Sequence, residues 1–69
     1  MTLSFRRRGP YYEQSECGHY TVAAYSVMGK WNFDAWRREQ NGGSRRLGDF
    51  PSARAAREAC EADERRIAE

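Results

Sequence analysis

Up to Phe50 the chain is a series of short stretches in which apolar and polar residues alternate, each ended by a glycine, proline or asparagine; beyond it the pattern turns helical. Leu3, Phe5 and Arg7 alternate with Ser4, Arg6 and Arg8, which predicts a short strand stopped by Gly9-Pro10. Its arginines suit a sheet edge, where charge discourages pairing with another chain. Tyr11 to Gln14 predicts a second short strand.

The clearest unit is a β-hairpin over His19 to Arg38. Tyr20, Thr21, Val22, Tyr25 and Val27 are strand formers on one arm and Trp31, Phe33 and Trp36 on the other, with Gly29-Lys30 at the turn. A two-residue turn places Val22, Ala24, Phe33 and Ala35 on one face. A three-residue loop selects Ala23, Tyr25, Phe33 and Ala35 instead. In either register Asn32, Asp34 and Trp36 lie opposite Phe33, so Trp36 falls on the polar face of its own strand.

Asn41-Gly42-Gly43-Ser44 reads as a loop, and Arg45 to Phe50 as a final strand or an extended connector. Ser52 is a good helix N-cap, and Pro51 before it blocks earlier extension. From Ala53 to Glu69 the chain is rich in alanine, arginine and glutamate without glycine or proline, which predicts one helix. The pairs Arg54/Glu58, Arg57/Glu61 and Glu61/Arg65 are four apart and predict a self-neutralised, solvated face for Glu58, Glu61, Asp63 and Glu64. Ala53, Ala56, Cys60 and Ile67 form an apolar stripe that Asp63 interrupts. The expected fold is α+β: one domain over residues 1–69, with a small antiparallel sheet of three to four strands packed against one C-terminal helix.

Composition adds that the core must be aromatic. With 69 residues a domain buries a modest fraction of its surface, and Phe, Tyr and Trp, 13% of the chain, carry much of its apolar area. Charged residues make up 32%, yet the net charge is only +2, so no dominant field marks a partner. No apolar run approaches a membrane span and the start lacks the apolar stretch of a secretory signal, so a cytoplasmic protein without membrane partners is expected, its Cys17 and Cys60 reduced.

Chemistry is sparse. Cys17-Gly18-His19 with Cys60 falls short of the four-ligand spacing of a structural zinc site, and a Cys/His pair two residues apart lacks the third, orienting group of nucleophilic catalysis. Gly18 is better read as a turn residue and Cys60 as a small core residue. Gly42-Gly43-Ser44 lacks the spacing and the lysine of a phosphate loop. The expectation is a protein without catalytic residues, metal or cofactor. Arg6-Arg7-Arg8, Arg37-Arg38 and Arg45-Arg46 all fall in the sheet region, where alternation sends neighbours to opposite faces. Tyr25, Trp36, Arg37, Arg38, Arg45 and Arg46 are the candidate partner-binding residues, since tryptophan, tyrosine and arginine dominate protein interfaces. Basic and aromatic groups on an open sheet also suit single-stranded nucleic acid, although no RNA-binding signature is present.

The run Ser15-Glu16-Cys17-Gly18-His19-Tyr20-Thr21-Val22, then Gly29-Lys30-Trp31-Asn32-Phe33-Asp34-Ala35-Trp36-Arg37, then Leu47-Gly48-Asp49-Phe50 before an alanine-rich helix with Cys60-Glu61, resembles small accessory proteins encoded in temperate phages and prophages. The resemblance spans most of the chain and carries no catalytic motif. It implies a protein acting in the host bacterial cytoplasm that binds and inhibits or modulates a host protein complex, most concretely an anti-CRISPR inhibitor of a CRISPR effector. Such inhibitors occupy a nucleic-acid channel, a recognition site or a nuclease recruitment surface. Many are acidic mimics of nucleic acid, and the net charge of +2 departs from that pattern. A nucleic-acid-binding module is the alternative, and a self-associating structural protein a third; monomer and homodimer are both compatible with the sequence.

Overall fold

The computed structural model describes residues 3–68. Five strands and one helix follow in order: β1 Phe5–Gly9, β2 Tyr12–Ser15, β3 Tyr20–Val27, β4 Lys30–Arg38, β5 Ser44–Phe50 and α1 Ala53–Ala68. The strands form a single antiparallel sheet in chain order, β1-β2-β3-β4-β5. The α+β class is as expected, with five strands rather than three to four. β2 and β5 are both full strands, and the predicted helix end at Glu69 lies outside the described residues.

The turn between β3 and β4 is the two-residue one, but its residues are Met28-Gly29 rather than Gly29-Lys30. Val27 pairs with Lys30, and Met28 and Gly29 both have positive φ, 52° and 82°. This is the backbone of a hairpin turn that matches the right-handed strand twist. It fixes Val22 opposite Ala35 and Ala24 opposite Phe33 on one face, the first of the two registers.

That face carries the core. Tyr20, Val22, Ala35, Ala56 and Cys60 are buried, with Leu3, Phe5, Phe33, Leu47 and Phe50 packed against them. Small residues at Ala35 and Gly48, paired across β4 and β5, let α1 lie close over β3, β4 and β5. Gly48 sits beside a bulge in β5 with φ 145°, and a Cβ there would meet the Phe50 ring at 3.4 Å. Ser52 caps the helix: its Oγ accepts the Ala55 N–H at 3.1 Å.

The helix is not the self-neutralised cover that its sequence predicts. Arg54 does pair with Glu58, but the Arg57 guanidinium reaches across to both oxygens of Glu13 on β2, and Glu61 accepts the N–H of Leu3. Asp63, expected on a solvated face, is buried, whereas Ile67 at the end of the apolar stripe is exposed. Within the described residues no helix is long and apolar enough to cross a membrane.

Candidate protein-binding surface

Only one face of the sheet carries the helix, and the register shows which residues line the other. Arg6 pairs with Gln14, Gln14 with Thr21, Thr21 with Trp36 and Trp36 with Arg46, so one row crosses all five strands on the open face. Beside it runs Tyr12–Ala23–Asp34–Asp49, and beyond that Tyr25 opposite Asn32. Of the candidate residues, Tyr25, Trp36, Arg38 and Arg46 therefore share the open face. Arg37 and Arg45, opposite each other across β4 and β5, are on the helix side.

Half of these residues, Tyr25, Arg37 and Arg46, already have side-chain partners inside the protein. The Arg46 guanidinium donates to Asp34 Oδ1 at 2.8 Å and lies 3.8 Å from Asp49, while the Tyr25 hydroxyl donates to Asp49 Oδ2 at 3.4 Å. Trp36 is partly buried rather than exposed. Arg38 and Arg45 have no carboxylate partner among the described residues.

Arg37 belongs to a network that ties the sheet to the helix. Asp63 accepts hydrogen bonds from the Tyr20 hydroxyl at 2.9 Å, from Arg37 Nη1 at 3.0 Å and from Arg66 Nη2 at 2.7 Å. Arg37 also donates to Glu39 at 2.9 Å. Burial by itself pushes the Asp63 carboxyl up, but the hydrogen bonds from Arg66, Tyr20 and Arg37 outweigh it and hold its pKa below the ordinary value of 3.8. The same contacts act on Tyr20 in the opposite sense: burial, then the bond to the Asp63 carboxylate, raises its pKa. Such a satisfied network fixes the position of the helix.

The thiols offer no catalytic pair. Cys17 is exposed and shares a hydrogen bond of 3.2 Å with Ser15 Oγ, not with His19. Cys60 is a buried free thiol whose pKa burial, with Asp63, Glu13 and Glu61 nearby, pushes up to about 12. Among the described residues no three His, Cys, Asp or Glu side chains cluster as metal ligands.

A further surface lies where no local sequence pattern marks one. β2 pairs with β3 only as far as Ala23, and β5 with β4 only as far as Phe33. The hairpin from Tyr25 to Asn32 therefore extends past its neighbours on both sides as a two-stranded arm, by roughly 10 Å at the usual rise per residue. Met28 at its tip is 99% exposed, Trp31 is 50% exposed, and Val27 is exposed as well. Trp31 stacks on the exposed Tyr11 with ring centroids 6.0 Å apart. Tyr12 adjoins Tyr11 at the same end of the sheet and is also exposed. The large apolar side chains exposed among the described residues thus gather at this end, with Ile67 the exception on the helix.

Beneath Tyr11, a cavity of about 230 Å³ opens between the β1–β2 turn, the sheet and the first turns of α1. Its walls are Tyr11, Val22, Ala24 and Phe33, and Arg7, Glu13 and Arg57 supply its charge. No protein-family model, curated protein or solved structure matches the chain.

Proposed function

We propose that the chain is a stoichiometric binding protein that docks on a host protein complex and inhibits or modulates it, in its most concrete form as an anti-CRISPR inhibitor of a CRISPR effector. The observation that carries this reading is the projecting arm with its exposed Val27, Met28 and Trp31 beside Tyr11 and Tyr12. Gathered aromatic and methionine side chains are typical of protein interfaces, and an isolated two-stranded arm is too thin to need them for its own core. Met28 strengthens the point. An L-residue in the left-handed region costs roughly 1–2 kcal/mol, and asparagine or glycine would serve the turn better, so a fully exposed methionine there is costly to the fold and useful to a partner. The resemblance to phage-encoded proteins supplies the kind of partner.

Tyr25 opens the arm on the open face, and Arg38 supplies an uncommitted cation further along that face. Asp34 and Asp49 lie on the same face and already neutralise Arg46, so a phosphate backbone laid across Trp36 would meet two carboxylates. That favours a protein partner over nucleic acid.

Titration of the purified chain into a DNA-cleavage assay of the host's CRISPR effector tests the proposal. Cleavage should cease near one equivalent without turnover of the inhibitor. Trp31→Ala should weaken inhibition by about 30-fold, the loss of roughly 2 kcal/mol expected of a central interface residue. No inhibition by the folded wild type, or salt-sensitive binding to bare DNA or RNA as its sole activity, would reject it.

A further inference from the structure

The cavity beside the arm carries a more specific inference, which rests on the proposed protein-binding role. At about 230 Å³ it is below the roughly 300–1,000 Å³ of pockets for whole small-molecule ligands, and of a size for one inserted side chain. Its walls, Tyr11, Val22, Ala24 and Phe33, are aromatic or aliphatic, and Tyr11 joins it to Trp31 on the arm. Interfaces concentrate their affinity in such pockets, where a partner's aromatic or aliphatic anchor is fully desolvated.

The charge around it decides the anchor's neighbours. Glu13 already has both oxygens on Arg57. Arg7 donates to the carbonyl of Pro10 and has no carboxylate partner among the described residues. With Glu13 and Arg57 satisfying each other, Arg7 leaves one unmatched positive charge beside the apolar walls. A second copy docked symmetrically would bring its own Arg7 against this one, whereas a carboxylate would complement it.

We infer that this cavity takes a single apolar side chain, aromatic by preference, from an acidic segment of the partner protein, with a flanking carboxylate paired to Arg7. The occupant is an acidic peptide segment of a protein.

Two-dimensional NMR of the ¹⁵N-labelled full chain tests this with three capped peptides: Glu-Glu-Phe-Glu-Glu, Glu-Glu-Ala-Glu-Glu and Lys-Lys-Phe-Lys-Lys. The first should shift the amide signals of Tyr11, Ala24 and Phe33 saturably, and the other two should bind at least tenfold more weakly. Ala24→Leu, which fills the cavity without changing charge, and Arg7→Glu should each weaken the first peptide tenfold while the spectrum stays dispersed. Equal binding of the first two peptides, shifts centred on Trp36 instead, or unchanged affinity in folded Ala24→Leu would overturn the inference. So would self-association of the chain through these residues, or their binding to phosphatidylserine vesicles in place of the peptide. The same variants in the cleavage assay separate the two levels. If wild type inhibits and folded Ala24→Leu inhibits equally while peptide binding is absent, the cavity inference fails and the inhibitor survives; if the peptide binds as stated but wild type inhibits nothing, the inhibitor fails and the cavity stands.

Discussion

Replacing Asp63 by asparagine removes one charge and almost no volume from the contact that joins sheet to helix. The wild-type carboxylate accepts from Tyr20, Arg37 and Arg66. Breaking a buried ion pair by removing one partner costs about 3–5 kcal/mol when the other charge is stranded. Here Arg37, whose side chain is 14% exposed, keeps Glu39 at 2.9 Å, which places the cost at or below the bottom of that range. The Arg66 side chain is 67% exposed, so its pair contributes under about 1 kcal/mol. The Tyr20 hydroxyl loses a charged acceptor, an effect of about 1.5–3 kcal/mol. Asparagine keeps one acceptor oxygen and the three contacts share a single carboxylate, so these losses do not add in full and the expected total for Asp63→Asn is about 2–3 kcal/mol, against about 3–10 kcal/mol of stability for a domain of this length. Urea unfolding followed by tryptophan fluorescence at pH 7 measures it. The pH dependence supplies an independent sign. Because the folded pKa of Asp63 lies below its ordinary 3.8, its stabilisation is complete above that value and drains away as pH falls through the folded one. The gap between wild type and Asp63→Asn should therefore narrow on acidification below about pH 4. A difference under about 0.5 kcal/mol at pH 7, or a gap that does not narrow in acid, would refute the assignment of this network as the helix clamp.

Met28→Asn should raise stability by about 1 kcal/mol, because asparagine tolerates the left-handed turn, while weakening inhibition of the host complex; a melting curve beside the cleavage assay reads both. Gly48→Ala should cost more than about 1 kcal/mol in urea unfolding, since φ at 145° is a backbone conformation unsuited to an L-residue even though the new Cβ would meet the Phe50 ring only at ordinary contact distance. A thiol reagent at pH 8 should label Cys17 in the native protein and Cys60 only after denaturation, as mass spectrometry would show. Cys60 also predicts alkaline loss: with its folded pKa raised from 9.0 to about 12, its contribution is whole below pH 9 and disappears as pH rises towards 12, which unfolding curves at increasing pH would follow.

Elements whose signals are local are legible in the sequence, and those set by distant neighbours are not. Alternation and turn residues gave the hairpin, the helix and the side of the sheet on which Trp36 lies. The turn was displaced by one residue because Met28 adopts a conformation that local preference assigns to glycine or asparagine. β5 was obscured by its bulge, which puts Leu47 and Gly48 out of step with simple alternation. Asp63 read as a flaw in the apolar stripe because its partners, Tyr20 and Arg37, are 43 and 26 residues away. The arm was invisible for a related reason. Nothing within Tyr25 to Asn32 announces that β2 and β5 stop short of it, so exposure of Trp31 and Met28 follows from the lengths of other strands.

The chain-order sheet also bears on how the molecule assembles. Each strand's partner is its neighbour along the chain, so the sheet can zip up hairpin by hairpin with little loop entropy to overcome. The ties that span more than forty residues belong to the helix: Leu3 to Glu61, Glu13 to Arg57 and Tyr20 to Asp63. The helix is therefore expected to dock late, onto a sheet already formed. Asp63→Asn should therefore speed unfolding while leaving the folding rate almost unchanged, as stopped-flow kinetics in urea would read, so that the lifetime of the native fold is governed at the helix and the projecting arm is left free to vary.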